Sequence, residues 1–160
     1  MAFLLDTSIF ITLKNELPMD IYPSLWSTIE RLANDGVIFS CMKVKDEIFR
    51  GNDDLKEWCR DKLPASFFIP ENGEIMGHYA NTISWAINNP VFNQNARDEY
   101  ARVADAYLVA TAAAMGFTIV TNETSDPQCR RRVKIPDACN AAGVAYSSIN
   151  DMFRSLGVVI

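Results

Sequence analysis

Short apolar runs alternating with helix-spaced segments restrict this chain to one class of fold. Phe3-Leu4-Leu5, Val37-Ile38-Phe39-Ser40, Phe117-Thr118-Ile119-Val120 and Val144-Ala145-Tyr146 have strand length, and Phe67-Phe68-Ile69 is a further short strand or extended segment ending at Pro70. Between them lie segments that read as helices: Ser8 to about Lys14, Ile21 to Ala33, Met42 to Arg50, Asp54 to Lys62, Gly73 to Ile87, Ile135 to Ala142 and Ile149 to Leu156. In the second of these Ile21, Leu25, Ile29 and Leu32 share one helical face, and in the third Val44 and Ile48 do. Ala96 to Met115 reads as one long helical stretch with a kink, closed by Gly116. This alternation predicts an α/β fold: a central, mostly parallel sheet flanked by helices. At 160 residues the chain fits a single domain over 1–160.

The position of the acids matters more than their number. Asp6 closes the first apolar run and is followed by Thr7 and Ser8. That places a carboxylate at the carboxyl end of a strand, where open α/β sheets bind ligands. Glu47 lies seven residues past Ser40, about two turns into the helix after the second strand. Asp105 stands in the apolar run Ala104-Asp105-Ala106-Tyr107-Leu108-Val109-Ala110. Glu123 follows the third clear strand by way of Thr121, with Asp126 three residues on. Strand ends share one edge of a parallel sheet, so Asp6 and Glu123 can meet there, and neighbouring helices can add Glu47 and Asp105. Convergent carboxylates repel unless a cation sits between them. Mg²⁺ or Mn²⁺ suits such an all-oxygen site, and a pair of such ions suits phosphodiester cleavage.

Composition removes several other classes. The net charge of −5 argues against binding nucleic acid through a broad basic surface. One basic cluster stands out, Arg130-Arg131-Arg132 with Lys134, a candidate for contacts to RNA phosphate. With one histidine, His78, most histidine-based mechanisms drop out. The four cysteines, Cys41, Cys59, Cys129 and Cys139, form no CxxC pair and are expected as free packing thiols in a reducing cytoplasm. No apolar run has the length of a membrane span, and the first residues do not read as a secretion signal. A P-loop and a GxGxxG turn are both absent, and Ser8 stands where a phosphoaspartate hydrolase would have a second aspartate.

Taken together, Leu4-Leu5-Asp6-Thr7-Ser8, Val44-Lys45-Asp46-Glu47-Ile48, Ala104 to Ala112 and Ile119-Val120-Thr121-Asn122-Glu123 resemble the PIN-domain ribonucleases, including the VapC-type toxins of toxin–antitoxin pairs. The segment Lys134 to Cys139 is similar to a smaller PIN subgroup. The resemblance implies a three-layer α/β/α fold in which Asp6, Glu47 and Asp105 bind Mg²⁺ or Mn²⁺, with Glu123 as the fourth acid and Asp126 as the alternative. Thr7, and Thr121 ahead of the fourth acid, are implied supports, Thr7 orienting Asp6 or its bound water. It further implies an RNA substrate, an antitoxin protein as partner and compatibility with a homodimer. The acidic net charge and the length depart from a compact toxin of this kind. A second expectation is a PIN-like module of weak catalytic power that binds RNA or protein.

Taken singly, each feature also has a structural reading. Asp6 alone would be a helix N-cap, Glu47 a solvated helix residue, and Arg130 to Lys134 a solvated turn. Trp26, Trp58 and Trp85 read as core or interface anchors.

Overall fold

Why the short apolar runs become one sheet is plain from their burial. In the computed structural model, which describes residues 1–160, the strands and helices follow the order β1 (Phe3–Leu5), α1 (Thr7–Glu16), α2 (Pro23–Asn34), β2 (Ile38–Cys41), α3 (Met42–Arg50), α4 (Asp54–Lys62), β3 (Phe68–Ile69), α5 (Gly73–Asn88), α6 (Gln94–Arg102), α7 (Ala104–Met115), β4 (Thr118–Val120), α8 (Ile135–Ala142), β5 (Tyr146–Ser147) and α9 (Ile149–Ser155). Leu4, Leu5, Ile38 and Ile119 are wholly buried. A strand covered by helices on both faces must be apolar at successive positions, which is how a parallel sheet is written in sequence.

The strand order is β3-β2-β1-β4-β5, and every pairing is parallel. The layers are α/β/α, as the sequence and the resemblance led us to expect. From β1 the chain builds outward through β2 and β3, then returns across the sheet to place β4 on the other side of β1. The order therefore reverses between β1 and β4, and such a reversal opens a crevice beyond the carboxyl ends of the two strands. Leu5 pairs with Val120, so Asp6 and Thr121 emerge side by side at that crevice.

Helix boundaries are set by local chemistry. Asn72, Asn93, Asp53 and Ser148 each accept a backbone N–H two or three residues into the helix they cap, at α5, α6, α4 and α9. Pro23 and Pro136 stand in the first turns of α2 and α8. α7 ends at Gly116, whose φ of 71° is left-handed and suits glycine. The expected kinked helix over 96–115 is instead two helices. Val103 is extended (φ −89°, ψ 172°), so α6 ends at Arg102 and a new helix starts at Ala104. That break moves Asp105 from mid-helix to the first turn of α7.

α7 is the buried pivot of one helical layer. It packs on β2 and β4 below and on α3, α5, α6 and α8 around it, which explains why its sequence is apolar on all sides. Leu108, Val109 and Ala110 have no exposed surface, and burial of a Leu or Val side chain contributes about 1.5–3 kcal/mol. Beneath α2 and α4, Trp26 and Trp58 meet edge to face at 4.9 Å, as core anchors.

Candidate metal centre

Asp6 occupies the N-cap position of α1, but its side chain makes no capping hydrogen bond. The carboxylate turns to the β1/β4 crevice instead, where Oδ2 accepts from Thr121 Oγ1 at 3.0 Å and from Ser8 Oγ at 2.6 Å. Asp6 is 3% exposed, so these hydroxyls fix the orientation of a group that water cannot freely solvate. Thr7, expected beside Asp6, does something different: its hydroxyl donates to Glu47 Oε2 at 2.9 Å. Successive residues of a helix point about 100° apart, so Thr7 faces α3 while Ser8 folds back over Asp6. Ser8 was missed as a site residue in the sequence because a hydroxyl after Asp-Thr reads as part of a cap.

Glu47 is bound at both oxygens. Besides Thr7, it accepts the backbone N–H of Ala104 at 2.9 Å through Oε1. That N–H is one of the unsatisfied donors at the start of α7, so a glutamate from α3 caps a helix remote in sequence. Asp105 follows one residue on, 8% exposed. Burial first, then the negative charges of Asp6 and Glu123, push its carboxyl up to about 8; Arg132 offsets this in part and Glu47 adds to it. The four expected acids therefore share one electrostatic neighbourhood at the sheet edge.

Glu123 is held from two sides. Its backbone N–H donates to Thr121 Oγ1 at 3.1 Å, and its Oε2 accepts the Ile135 N–H at 2.6 Å. Asp126 is exposed, its backbone N–H donates to Asp137 Oδ2 at 2.9 Å, and it is not among the charges that act on Asp105. Of the two acids left open in the sequence, Glu123 is the one at the cluster. Asp137, a buried acid without an assigned role in the sequence, also accepts from Ser125 Oγ and so ties the 121–134 loop to α8.

The basic run divides. Arg130 and Arg131 are exposed and Lys134 is half-buried, but Arg132 reaches into the acids. One of its terminal nitrogens lies 2.6 Å from Glu123 Oε1 and 3.6 Å from Asp105 Oδ2. As arranged here, no three acid, histidine or cysteine side chains enclose a point where an ion would be held; the positive charge among the acids is the guanidinium. The donor set nevertheless fits a hard divalent cation. All its atoms are oxygens, and the Asp105 carboxyl, raised by burial and then by its acidic neighbours, is one that a bound cation would bring back down. The alternative nucleophiles are poorly placed: burial pushes the Cys41, Cys59 and Cys139 thiols up to about 12. His78 lines a separate cavity of about 330 Å³ with Asn81, Thr82 and Trp85, away from the acids.

No helix is long and apolar enough to cross a membrane. No curated protein matches the sequence. Several solved structures share the fold, among them the following two. One is VapBC2 from Rickettsia felis bound to a DNA fragment from their promoter, with a TM-score of 0.56 and 18% identity over 92% of this chain and 98% of the other. The other is FitAcB from Neisseria gonorrhoeae, with a TM-score of 0.51 and 20% identity over 90% of this chain and 95% of that one. At such identities the likeness is one of fold, and it accords with the PIN resemblance of the motifs. A family described as a domain of unknown function, DUF4411, matches residues 3–160, and the chain belongs to that family, carried on a PIN-like fold.

Proposed function

We propose that this protein is a metal-dependent endoribonuclease that hydrolyses RNA phosphodiester bonds at the acid cluster, and that it serves as the toxin of a toxin–antitoxin pair. The observation that carries the proposal is the buried pair Asp6 and Asp105 at the sheet's switch point, with Glu47 and Glu123 in the same field. The toxin assignment draws on the PIN resemblance and on the fold shared with VapBC2 and FitAcB.

Mg²⁺ or Mn²⁺, when bound, supplies Lewis-acid activation of water and phosphate. Asp6 and Asp105 are the residues to hold it, with Glu47 and Glu123 as further oxygen donors. Ser8 and Thr121 keep Asp6 turned to the crevice, and Thr7 fixes Glu47. Arg130, Arg131 and Lys134 lie on the loop that ends at the cluster and are the groups to hold the RNA backbone. No side chain acts as a nucleophile, in keeping with the buried thiols of Cys41, Cys59 and Cys139; Cys129 is half-buried and free.

A second reading has one observation in its favour. Arg132 already neutralises part of the cluster and Glu47 is hydrogen-bonded at both oxygens, an arrangement that also suits a PIN-like module binding RNA or protein without cutting. Cleavage of RNA by purified protein separates the two. The nuclease reading expects Mn²⁺-dependent cleavage by the wild type, abolished by EDTA and by Asp6→Asn, and growth arrest on induction of the wild type alone. Cleavage that survives exhaustive EDTA treatment contradicts the metal mechanism, and a well-folded wild type that never cuts RNA in Mn²⁺ favours the binding module.

A further inference from the structure

Resting on the metal-dependent reading above, we propose that Arg132 is a built-in counter-ion of the acid cluster, holding Asp105 and Glu123 oxygens on which a divalent cation bound at Asp6 and Asp105 would draw, and displaced from them when one enters. The geometry is that of a cation straddling two carboxylates. A single nitrogen of its guanidinium faces Glu123 Oε1 at 2.6 Å and Asp105 Oδ2 at 3.6 Å. The two acids come from different elements, the loop after β4 and the first turn of α7. Their side chains are only 11% and 12% exposed, so the charge they need must come from a side chain or an ion rather than from water.

The two cations compete for the same oxygens. The guanidinium engages Glu123 Oε1 and Asp105 Oδ2, and Glu123 Oε2 is already taken by the Ile135 N–H. An ion that draws on Asp105 and Glu123 must therefore take these contacts from the guanidinium. The arginine is built to leave. Its side chain is 49% exposed, while the next residue, Val133, is 2% exposed and fixes the backbone. A change of side-chain rotamer suffices, with no movement of the loop. The metal-free protein thus keeps its buried acids compensated, and each ion must compete with an arginine tethered at the site.

Calorimetric titration of Mn²⁺ into wild type, Arg132→Gln and Lys62→Gln tests the competition. Lys62 is exposed on α4 and unpaired, so its variant controls for the loss of one positive charge. Removing the competitor is expected to tighten Mn²⁺ binding about five- to tenfold in Arg132→Gln, the low end of ordinary coupling between sites, with Lys62→Gln unchanged. The rise in melting temperature caused by Mn²⁺ should grow in parallel. If Arg132→Gln does not fold without metal, Arg132→Lys serves in its place and should bind more tightly than wild type. Mn²⁺ bound equally or more weakly by the Arg132 variants than by wild type overturns the counter-ion role and leaves the metal reading intact. If neither wild type nor variant binds Mn²⁺, both fall together.

Discussion

At the scale of the residue, the site is recognisable by side chains that forgo their usual local bonds. Asp6 stands at a helix start and caps nothing. Asp105, in the first turn of α7, is buried among other acids with its carboxyl raised to about 8. The sign of that shift fixes a prediction for the metal-free protein. A carboxyl raised on folding leaves the native state fully stable below its ordinary value of 3.8, and stability is lost as pH rises through about 8. We predict that wild-type stability in EDTA falls across this window and that Asp105→Asn flattens the fall, with a gain of about 1–3 kcal/mol at pH 8. Chemical denaturation at a series of pH values reads this directly; an unchanged slope in the Asn variant would mean that Asp105 ionises without penalty.

Among the elements, the junction between α6 and α7 does the most to build the site. Without the extended Val103, Asp105 would sit in the middle of a continuous helix and Ala104 would have no free N–H for Glu47. Glu47 thus joins a structural task to a chemical one, and substitutions can separate them. Glu47→Ala removes the cap on α7 and the partner of Thr7, and is predicted to destabilise the protein by about 1–2 kcal/mol. Glu47→Gln keeps an acceptor oxygen for the Ala104 N–H and turns its NH2 to the Thr7 hydroxyl, which can accept, so it should recover most of that stability while still weakening Mn²⁺ binding. Equal stability of the two variants in urea denaturation would show that the cap contributes nothing.

The same junction marks the limit of what can be read from sequence. Strand runs follow from apolar length and from turns, and α3, α4 and α8 are legible to the residue from spacing and caps, whereas the order of the strands in the sheet is not. Asp6, Glu47, Asp105 and Glu123 were legible as candidates because each sits at a definable place relative to a strand or an apolar helix. The break at Val103 was not, since nothing between Ala101 and Ala106 is a strong helix breaker; the extended residue is held by contacts remote in sequence. The reach of Arg132 into the acids was also hidden. Among three consecutive arginines, which one turns inward is decided by where the buried Val133 and Ile135 anchor the loop.

On the scale of the whole molecule, the strand order concentrates function at one edge. The reversal between β1 and β4 leaves a crevice, and the chain sends an acid to it from β1, from the loop after β4 and from the start of α7. The remaining charge is acidic, with a net −5 over the chain, so RNA is expected to be held by a few local contacts rather than by the overall field. Replacing the exposed Arg130 and Arg131 together by Gln should weaken RNA binding and reduce the slope of log affinity against log salt by about 1 per residue. A slope that does not change would place the RNA path on another face.

The claim on which the rest depends is that a divalent ion binds between Asp6 and Asp105. The most direct measurement is an anomalous difference map from crystals of the wild-type protein soaked in Mn²⁺. The account predicts a peak within coordination distance of both carboxylates, with the Arg132 side chain swung away from Asp105 and Glu123. A crevice without a peak at saturating Mn²⁺, or a peak only at unrelated surface acids, would contradict it.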